Sequence, residues 1–432
     1  MAQIKVSNRA AASIAVTSPL NRILKETIPL LRHQVHNPKG AINLGVAHND
    51  LMAEEIREKS KACLDITLED ANYGEPNGSI ELRTAMSNIL NKHFNTHTPV
   101  LPEHIFTHTG ATASIYHMTM TIADPGDYIM IQAPYYGAFD KDICVDTGVN
   151  ILPFHNPKVE DLAVSLEFLE DTYSEAVAAG KKVTAIVITN PSNPLGRCYS
   201  LDDIHTFLTF ANNHSLHTVF DEIYALSTFG QLLPGTNHGK NPFISVMSLS
   251  NLKDLIDPAY VHVLYGLSKD FNVNGYRVGF IIDQHNPPLR RALGRNNVFS
   301  YMSSILDRML VNMLSDVEWV ENFLTVNQKR LAESYQKTIS FLNENAVEYI
   351  PSESGPFLLL NLANRFEKVY QRKMTFEDED ALRKMMISNG VYIVPGLAFH
   401  CPEPGYFRLT FALTWEELEE GLQLVLKTLY YE

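Results

Sequence analysis

Short apolar runs along the chain alternate with longer segments in which apolar residues recur every three or four positions. The continuous runs at residues 128–132, 183–189 and 217–220 have the length and composition of buried strands. Helical spacing of apolar residues characterises the segments that separate these runs. Such alternation predicts a mostly parallel sheet that is covered by helices on both faces.

The helices predicted from this spacing cover residues 80–94, 114–122, 162–178 and 200–213. A longer stretch, residues 302–343, is also helical in its spacing and is predicted to link the sheet to a second unit. Beyond this stretch, apolar runs again alternate with helical segments. These C-terminal strands and helices are predicted at residues 356–361, 376–388, 406–412 and 415–431.

The pattern therefore predicts an α/β protein with a large domain over residues 61–305 and a small α+β domain over residues 306–432. Residues 1–60 are expected to supply an N-terminal arm and part of the small domain. Within them, residues 1–18 are rich in small and polar side chains, as in a disordered segment or an arm that reaches a partner. Residues 41–51 are expected to return to the small domain and to border the substrate entrance.

Composition and charge narrow the class of function. Of the 432 residues, 45% are hydrophobic and 19% are charged, which is ordinary for a globular enzyme. The net charge of −14 and the lack of a basic tract argue against a nucleic-acid partner. No apolar run approaches the roughly 18 residues of a membrane span, and the N-terminus lacks the apolar core of a secretory signal. A cytoplasmic protein with no membrane partner is expected.

The cysteines and histidines predict no metal site. The four cysteines are far apart in sequence, so neither a disulfide framework nor a CxxC site is indicated. His104 and His108 are four residues apart, but Ile105 and Phe106 between them indicate a strand. In a strand, side chains at this spacing do not converge on one metal ion as they do on a helix.

The most informative feature is the pair Ser268–Lys269 at the end of an apolar strand, with Arg277 eight residues further on. The residues before Lys269 favour burial, and a buried ammonium group loses solvation. Its pKa then falls and the amine becomes nucleophilic, which is what a Schiff-base lysine requires. The alternative is a lysine whose amine simply reaches solvent beyond the strand.

Other polar motifs follow apolar strands in the same way. Asn193 lies in the motif 190–196 and Asp221 and Tyr224 lie in the motif 220–224, each directly after a strand. In open α/β sheets, ligands bind at the carboxyl ends of the strands. Short motifs at residues 109–112, 133–136 and 406–412 complete an ordered set.

This ordered set resembles the class I/II aminotransferase family, the fold-type-I enzymes that use pyridoxal 5'-phosphate (PLP). Within the family the chain is most similar to the branch of the 1-aminocyclopropane-1-carboxylate (ACC) synthases, over residues 43–412. Each motif alone is a weak signal, but six in the family's order are a strong one. The resemblance implies a large domain with a mixed, mostly parallel sheet between helices, a small α+β domain, and a homodimer whose active site lies at the subunit interface.

The resemblance also implies roles for the residues around the cofactor ring. Lys269 would hold PLP as a Schiff base and then act as the general base at the substrate Cα. Asp221 would face the pyridine nitrogen and keep it protonated, which improves the ring as an electron sink. Asn193 and Tyr224 would donate to the ring hydroxyl oxygen, and Tyr136 would lie against the ring face.

The phosphate group would be held by backbone and side-chain donors together. Ala111 and Thr112 precede a predicted helix, so their N–H groups would lie at its N-terminus. Ser268 and the bidentate donor Arg277 would complete the site. Tyr73 matches a tyrosine that reaches the phosphate from the partner subunit. Two positions before Ser268 many relatives have another serine, which this chain replaces with glycine.

The substrate, a free α-amino acid, would be bound by Arg408, whose planar guanidinium matches an α-carboxylate. Asn193 and Ala47 would border the same site. The resembled ACC synthases have a glutamate where this chain has His48. Because histidine is neutral or cationic near pH 7, attraction to the sulfonium of S-adenosylmethionine is expected to weaken. His48 is open to three interpretations: a proton shuttle, a group that recognises an acidic or polar side chain, or a loop residue without a role.

The reaction itself is left open by these residues. A carbanion at Cα leads to elimination or replacement at Cβ or Cγ, or to transamination, and the ACC-synthase-like resemblance favours a lyase-type elimination or replacement. Transamination to a 2-oxo acid is the second hypothesis. A non-catalytic PLP-fold sensor is a distant third, since such regulators usually carry a DNA-binding module that the short N-terminal segment has no room for.

Overall fold

The computed structural model describes residues 6–33, 35–233 and 241–429. Its strands are β1 (Ile42–Asn43), β2 (Ile105–His108), β3 (Tyr128–Ala133), β4 (Asn150–His155), β5 (Val183–Thr189), β6 (His217–Asp221), β7 (Val261–Gly266), β8 (Gly279–Ile282), β9 (Glu348–Ile350), β10 (Phe357–Asn361), β11 (Val391–Tyr392), β12 (Val394–Pro395) and β13 (Tyr406–Thr410). Its α-helices are α1 (Asn8–Ala15), α2 (Pro19–Thr27), α3 (Ala53–Cys63), α4 (Ile80–His93), α5 (Ala111–Ile122), α6 (Phe139–Asp142), α7 (Leu166–Ala178), α8 (Leu201–His214), α9 (Leu252–Leu255), α10 (Leu267–Asp270), α11 (Pro287–Asn296), α12 (Ser304–Leu314), α13 (Val317–Glu344), α14 (Ala363–Tyr370), α15 (Phe376–Ser388) and α16 (Trp415–Leu429).

A seven-stranded sheet with the order β2-β8-β7-β6-β5-β3-β4 forms the larger part of the molecule. Strands β7, β6, β5, β3 and β4 run parallel, and β8 is antiparallel to both of its neighbours. Successive residues of β5 enter different apolar clusters: Ile186 and Ile188 pack in one, Ala185 and Val187 in the other. The sheet is therefore buried on both faces, which confirms the predicted mixed, mostly parallel sheet.

The parallel strands bring their carboxyl ends to one edge of this sheet. Asp221 ends β6 and pairs with Thr189 at the end of β5 and with Leu264 in β7. The strand β7 ends at Gly266, and the single helical turn α10 that follows it carries Lys269. The acid and the amine predicted from separate motifs thus lie at adjacent strand ends.

A second, antiparallel sheet of four strands has the order β12-β13-β10-β9. Beside it, β1 pairs in parallel with β11, so Ile42 lies opposite Val391. The segment around residue 42 therefore joins the C-terminal part of the chain, as the sequence predicted. The division into residues 1–60, 61–305 and 306–432 stays a prediction. None of the described helices is both long and apolar enough to cross a bilayer.

Two sequence predictions of local structure were wrong. The stretch 302–343 is not one helix, because α12 ends at Leu314 and α13 begins at Val317. The side chain of Asp316 accepts a hydrogen bond from the backbone N–H of Trp319 at 3.1 Å, which caps the second helix and breaks the first. For residues 1–18 the disordered alternative was wrong, since residues 8–15 form the helix α1, capped by Ser7, while the alternative of an arm that reaches a partner stays a prediction. Residues 1–5 of the predicted arm and 430–431 of the last predicted helix lie outside the described residues.

Candidate active site

A cavity of about 290 Å³ lies at the carboxyl edge of the large sheet. It opens between residues of the sheet, the segment 45–47, the helix α2 and the strands β12 and β13. Most of the residues that the sequence assigned to cofactor and substrate are in its wall. These are Ala47, Ala111, Thr112, Tyr136, Asn193, Asp221, Tyr224, Ser268, Lys269, Arg277 and Arg408.

The amine of Lys269 is held inside this cavity. Its Nζ donates a hydrogen bond to the carbonyl oxygen of Ala47 at 2.6 Å. Burial and the positive charges of Arg408 and Arg277 lower the pKa of Lys269 to about 7, while the negative charge of Asp221 opposes the shift. A large share of the amine is therefore neutral near pH 7, the state in which nitrogen is nucleophilic and basic.

The carboxylate of Asp221 is buried at the end of β6, with 8% of the residue exposed. Burial raises the pKa of Asp221 to about 7, against the backbone N–H of Ile223 and the charge of Lys269. A buried carboxylate with so few donors can bind a cationic N–H group. Tyr224, three residues further on, is buried edge-on against the ring of Phe357, with 5.2 Å between the ring centroids.

Arg408 on β13 is a buried cation between two aromatic rings. Its guanidinium carbon lies 4.9 Å from the centroid of Phe357 and 4.6 Å from that of Phe399. Nη1 donates to Oδ1 of Asn193 and Nη2 to the carbonyl oxygen of Gly45, both at 2.8 Å.

The charge of Arg408 is not balanced by a carboxylate of the surrounding wall. Burial lowers the pKa of Arg408, and the neighbouring groups that oppose the shift are the tyrosines Tyr224, Tyr136 and Tyr392. Its Nε has no hydrogen-bond partner within the described part of the chain. Because a buried unpaired charge is costly, this guanidinium is suited to bind an anionic ligand.

An anion site lies at the other end of the cavity, at the N-terminus of α5. Gly110 precedes this helix with φ of +94°, and a Cβ added there would lie 2.5 Å from Nη2 of Arg277. Glycine therefore lets the guanidinium approach the exposed N–H groups of the first helical turn. The helix dipole, Arg277 and the hydroxyl of Ser268 together fit a phosphate group.

Several cavity residues were missed by sequence reasoning. Asp142 on α6 accepts a hydrogen bond from Oγ1 of Thr112 at 3.3 Å, and burial raises the pKa of Asp142 to about 6. Thr189 and Asn274 also line the cavity, and each carries a buried side-chain oxygen without a partner in the described residues. Thr189 ends a predicted strand, but no spacing rule pointed to any of these three residues as part of a site. The apolar residues Leu20, Leu24, Val46 and Val394 gave no signal as site residues, because nothing local distinguishes them from core.

Two predicted site residues are not in the wall of this cavity. Tyr73 is 96% exposed on the surface of its own chain. His48 lies with Ala47, Ser268 and Lys269 around a smaller neighbouring cavity. Its Nδ1 is 2.8 Å from the carbonyl oxygen of Val46 and its Nε2 is 3.2 Å from Oδ2 of Asp50.

The ring of His48 therefore faces an acceptor with each nitrogen. Only the doubly protonated imidazolium donates to both at once. Although burial opposes the shift, the Asp50 carboxylate and the Val46 carbonyl raise the pKa of His48. None of the three interpretations left open by the sequence is singled out by these contacts, which instead favour a protonated ring held near Lys269.

Comparison with known proteins defines the class of protein. The family model "Aminotransferase class I and II" matches residues 39–425, and the chain belongs to this family. A 1-aminocyclopropane-1-carboxylate synthase 2 of Cucurbita pepo is 33% identical over 88% of this chain and 76% of its own length. The 1-aminocyclopropane-1-carboxylate synthase-like protein 1 of Arabidopsis thaliana is 31% identical over 91% of this chain and 79% of its own length.

Solved structures show the same fold at lower identity. A double mutant of aspartate aminotransferase from Thermus thermophilus has a TM-score of 0.78 at 18% identity, covering 99% of this chain and 100% of its own. An aromatic aminotransferase from Pyrococcus horikoshii has a TM-score of 0.74 at 19% identity, covering 94% of this chain and 98% of its own. The chain is thus a PLP-dependent enzyme of fold type I, related to the ACC synthases.

The residues of the cavity fit PLP. The phosphate matches the N-terminus of α5 with Arg277, and the protonated pyridine nitrogen matches the buried carboxylate of Asp221. The aldehyde carbon requires a neutral amine, which Lys269 supplies near pH 7. The ring of PLP would occupy the cavity between these groups, whose wall also includes Tyr136, Asn193 and Tyr224.

Replacement of Arg408 by glutamine is expected to raise the pKa of Lys269, because a nearby positive charge that disfavours the ammonium is removed. A shift of about 1 pH unit is expected from the loss of one close charge. The measurement is the pH dependence of Lys269 labelling by trinitrobenzenesulfonate in the apoprotein, quantified by peptide mass spectrometry. Since only the neutral amine reacts, the labelling curve moves to higher pH.

The matched control is Arg32→Gln, since Arg32 pairs with Glu420 on the surface. An unchanged curve for Arg408→Gln, or an equal shift in the control, contradicts the assigned electrostatic coupling.

Proposed function

We propose that this enzyme acts on a free α-amino acid and eliminates or replaces a substituent at Cβ or Cγ of the side chain. The observation that carries the proposal is one cavity that contains the buried amine of Lys269 with a lowered pKa, the buried carboxyl group of Asp221 and the buried guanidinium of Arg408, whose Nε has no partner in the described residues. These three groups serve, in turn, proton transfer, activation of the cofactor and recognition of an α-carboxylate.

Arg408 would bind the α-carboxylate through its planar donor face and so fix the orientation of Cα. Asn193 and the Gly45 carbonyl hold the guanidinium in place from two directions. The amine of Lys269 would take the proton from Cα, because its lowered pKa lets it act as a base near pH 7. Bound PLP supplies the electron sink for the charge left on Cα. Asp221 would hold the proton on the ring nitrogen.

The lyase-type direction rests on the sequence relatives. Proteins named ACC synthases are 30–33% identical to this chain, and the name of such an enzyme describes formation of a cyclopropane amino acid. Closing a cyclopropane ring between Cα and Cγ of an α-amino acid displaces a substituent from Cγ. The aminotransferases among the solved structures are below 25% identity and support the fold alone.

Transamination to a 2-oxo acid is the second candidate, and His48 is the observation in its favour. The contacts of His48 with Val46 and Asp50 raise its pKa and so favour a positive charge near Lys269. A sulfonium substrate would be repelled by this charge. S-adenosylmethionine is therefore disfavoured, and with it the reaction of the named relatives.

We also propose that the protein is a homodimer and that Tyr73 serves the partner's phosphate site. Tyr73 and Leu68 are 96% and 94% exposed, and Phe299 is 82% exposed. The segment 68–73 adjoins the segment 299–304, because Oγ of Ser304 donates a hydrogen bond to the carbonyl oxygen of Asn72 at 2.9 Å. An exposed apolar surface of this kind is typical of a subunit interface.

A cytosolic location is proposed as well. The cysteines Cys63, Cys144, Cys198 and Cys401 are all free thiols, which a reducing compartment maintains.

Lys269→Ala is expected to abolish turnover of every amino acid while the fold and cofactor binding persist, because only the base and the covalent anchor are removed. Loss of a positioned base with a nucleophilic role costs at least about 100-fold. The assay incubates holoenzyme with methionine, S-methylcysteine, phenylalanine and S-adenosylmethionine, and identifies products by mass spectrometry. A 2-oxo acid with ammonium and a released thiol indicates elimination. Conversion of the cofactor to its pyridoxamine form indicates transamination.

The control is Lys329→Ala, since Lys329 is an exposed lysine of α13 that does not line the cavity. Full turnover by Lys269→Ala would rule out the assigned base. Exclusive formation of the pyridoxamine form by the wild-type enzyme would overturn the lyase proposal in favour of the second candidate.

Tyr73→Ala and Lys269→Ala are expected to complement each other when the two proteins are mixed and allowed to exchange subunits. A hybrid dimer has one complete site, because one subunit supplies Tyr73 and the other supplies Lys269. Turnover by the mixture is compared with that of each variant alone, and light scattering determines the oligomeric state. A monomer in solution, or a mixture no more active than Tyr73→Ala alone, contradicts the shared site.

A further inference from the structure

The cavity has two chemically different ends. One end is the anion site, formed by Ala111, Thr112 and Arg277 at the start of α5. The other end contains Arg408, which is stacked against Phe399 and lies opposite Val394 in the β12–β13 pairing. In the proposed function the first end takes the cofactor phosphate and the second takes the substrate. The walls beside Arg408 therefore surround the substrate side chain.

Helix α2 forms one of these walls. Leu20 and Leu24, one turn apart on this helix, both line the cavity. They belong to the same apolar cluster as Val394 and Phe399. They therefore lie at the Arg408 end of the cavity.

The helix is tied to the rest of the molecule at both of its ends. At the beginning, Oγ of Ser18 donates to the carbonyl oxygen of Gly137 at 2.9 Å. At the end, Arg383 of α15 donates to Oε2 of Glu26 at 2.9 Å and to Oγ1 of Thr27 at 3.1 Å. Leu20 and Leu24 are thus held over the cavity by contacts on opposite sides.

The charged groups of the cavity are all engaged elsewhere. Within the described residues its charged side chains are Asp142, Asp221, Lys269, Arg277 and Arg408. Asp142 accepts from Thr112 at the anion end, and the other four have cofactor or α-carboxylate roles in the proposed function. Val46, which follows the Gly45 carbonyl that Arg408 contacts, adds a further apolar group.

We propose that Leu20, Leu24, Val46 and Val394 form an apolar subsite that selects α-amino acids with uncharged, apolar side chains. The proposal rests on the proposed function and names its substrate class. A charged side chain would lose its solvation in this subsite without gaining a counter-ion from the cavity wall, because His48 borders the neighbouring cavity, whereas an apolar side chain is favoured by leaving water. The subsite disfavours dicarboxylic and basic amino acids and also S-adenosylmethionine.

The test compares S-benzylcysteine, S-methylcysteine and methionine with S-carboxymethylcysteine, S-aminoethylcysteine and S-adenosylmethionine on the wild-type holoenzyme, so that every substrate has a sulfur leaving group at Cβ or Cγ. The apolar group is expected to have kcat/KM values at least about tenfold higher. Binding to Lys269→Ala holoenzyme, measured by calorimetry, provides a readout that requires no turnover, and the same order of affinities is expected there.

Variants locate the effect on helix α2. Leu24→Ala is expected to raise KM for S-benzylcysteine about tenfold with a smaller change in kcat, because contacts with the bound side chain are removed. Leu24→Lys is expected to shift the preference of the enzyme from S-benzylcysteine towards S-carboxymethylcysteine. The control Lys25→Ala changes an exposed residue of the same helix and is expected to leave both constants unchanged.

Each outcome decides between the proposals. A preference for charged amino acids, in turnover or in calorimetry, overturns the apolar subsite and leaves the proposed function standing. An effect of Leu24→Ala on kcat alone, or an equal effect of Lys25→Ala, overturns it too. Tight binding of apolar amino acids without turnover of any amino acid supports the subsite and contradicts the proposed function.

Discussion

The buried charges at the carboxyl edge of the large sheet are the constraint on which the rest of the site depends. Lys269, Arg277 and Arg408 share one cavity with the carboxylate of Asp221, and each of the arginines lowers the pKa of the lysine. The wall contains three basic side chains and two carboxyl groups, those of Asp142 and Asp221, so positive charge is left over. An anionic cofactor and an anionic substrate group would complete the set, which explains why the fold holds these charges where it does.

The scaffold keeps these groups in place through neighbouring buried contacts. Asp270, next to Lys269, accepts hydrogen bonds from Ser227 at 2.6 Å and Tyr265 at 3.0 Å. Those bonds join the turn that carries the lysine to the segment that follows Asp221. Two phenylalanines enclose the guanidinium of Arg408. These contacts hold the turn that carries Lys269 and the guanidinium of Arg408 in fixed positions in the site.

The strands of the large sheet and the polar residues at their carboxyl ends could be predicted, because each is marked by a short stretch of sequence. The strands β5 and β6 are continuous apolar runs, and Asn193, Asp221 and Lys269 follow strands directly. The break between α12 and α13 was missed, since a single capping residue, Asp316, interrupts a spacing that otherwise continues.

The other residues of the site are brought there by contacts between segments far apart in sequence, and the spacing of apolar residues does not predict such contacts. Leu20 and Leu24 of α2 reach the cavity by packing against Val394 and Phe399, more than 300 residues away in sequence. Asp142 has no local feature that separates it from a surface acid. The tyrosine that the resemblance assigned to the phosphate, Tyr73, lies outside the cavity of its own chain, and its role there stays a proposal that depends on a second subunit.

The most direct test of the account is to reduce the holoenzyme with borohydride, digest it, and map the peptide that carries the cofactor. The account predicts a phosphopyridoxyl group on Lys269 alone, with no modification of this peptide in Lys269→Ala. Attachment at another lysine, or no attachment after the protein has been supplied with PLP, would contradict the assignment of this cavity as the active site.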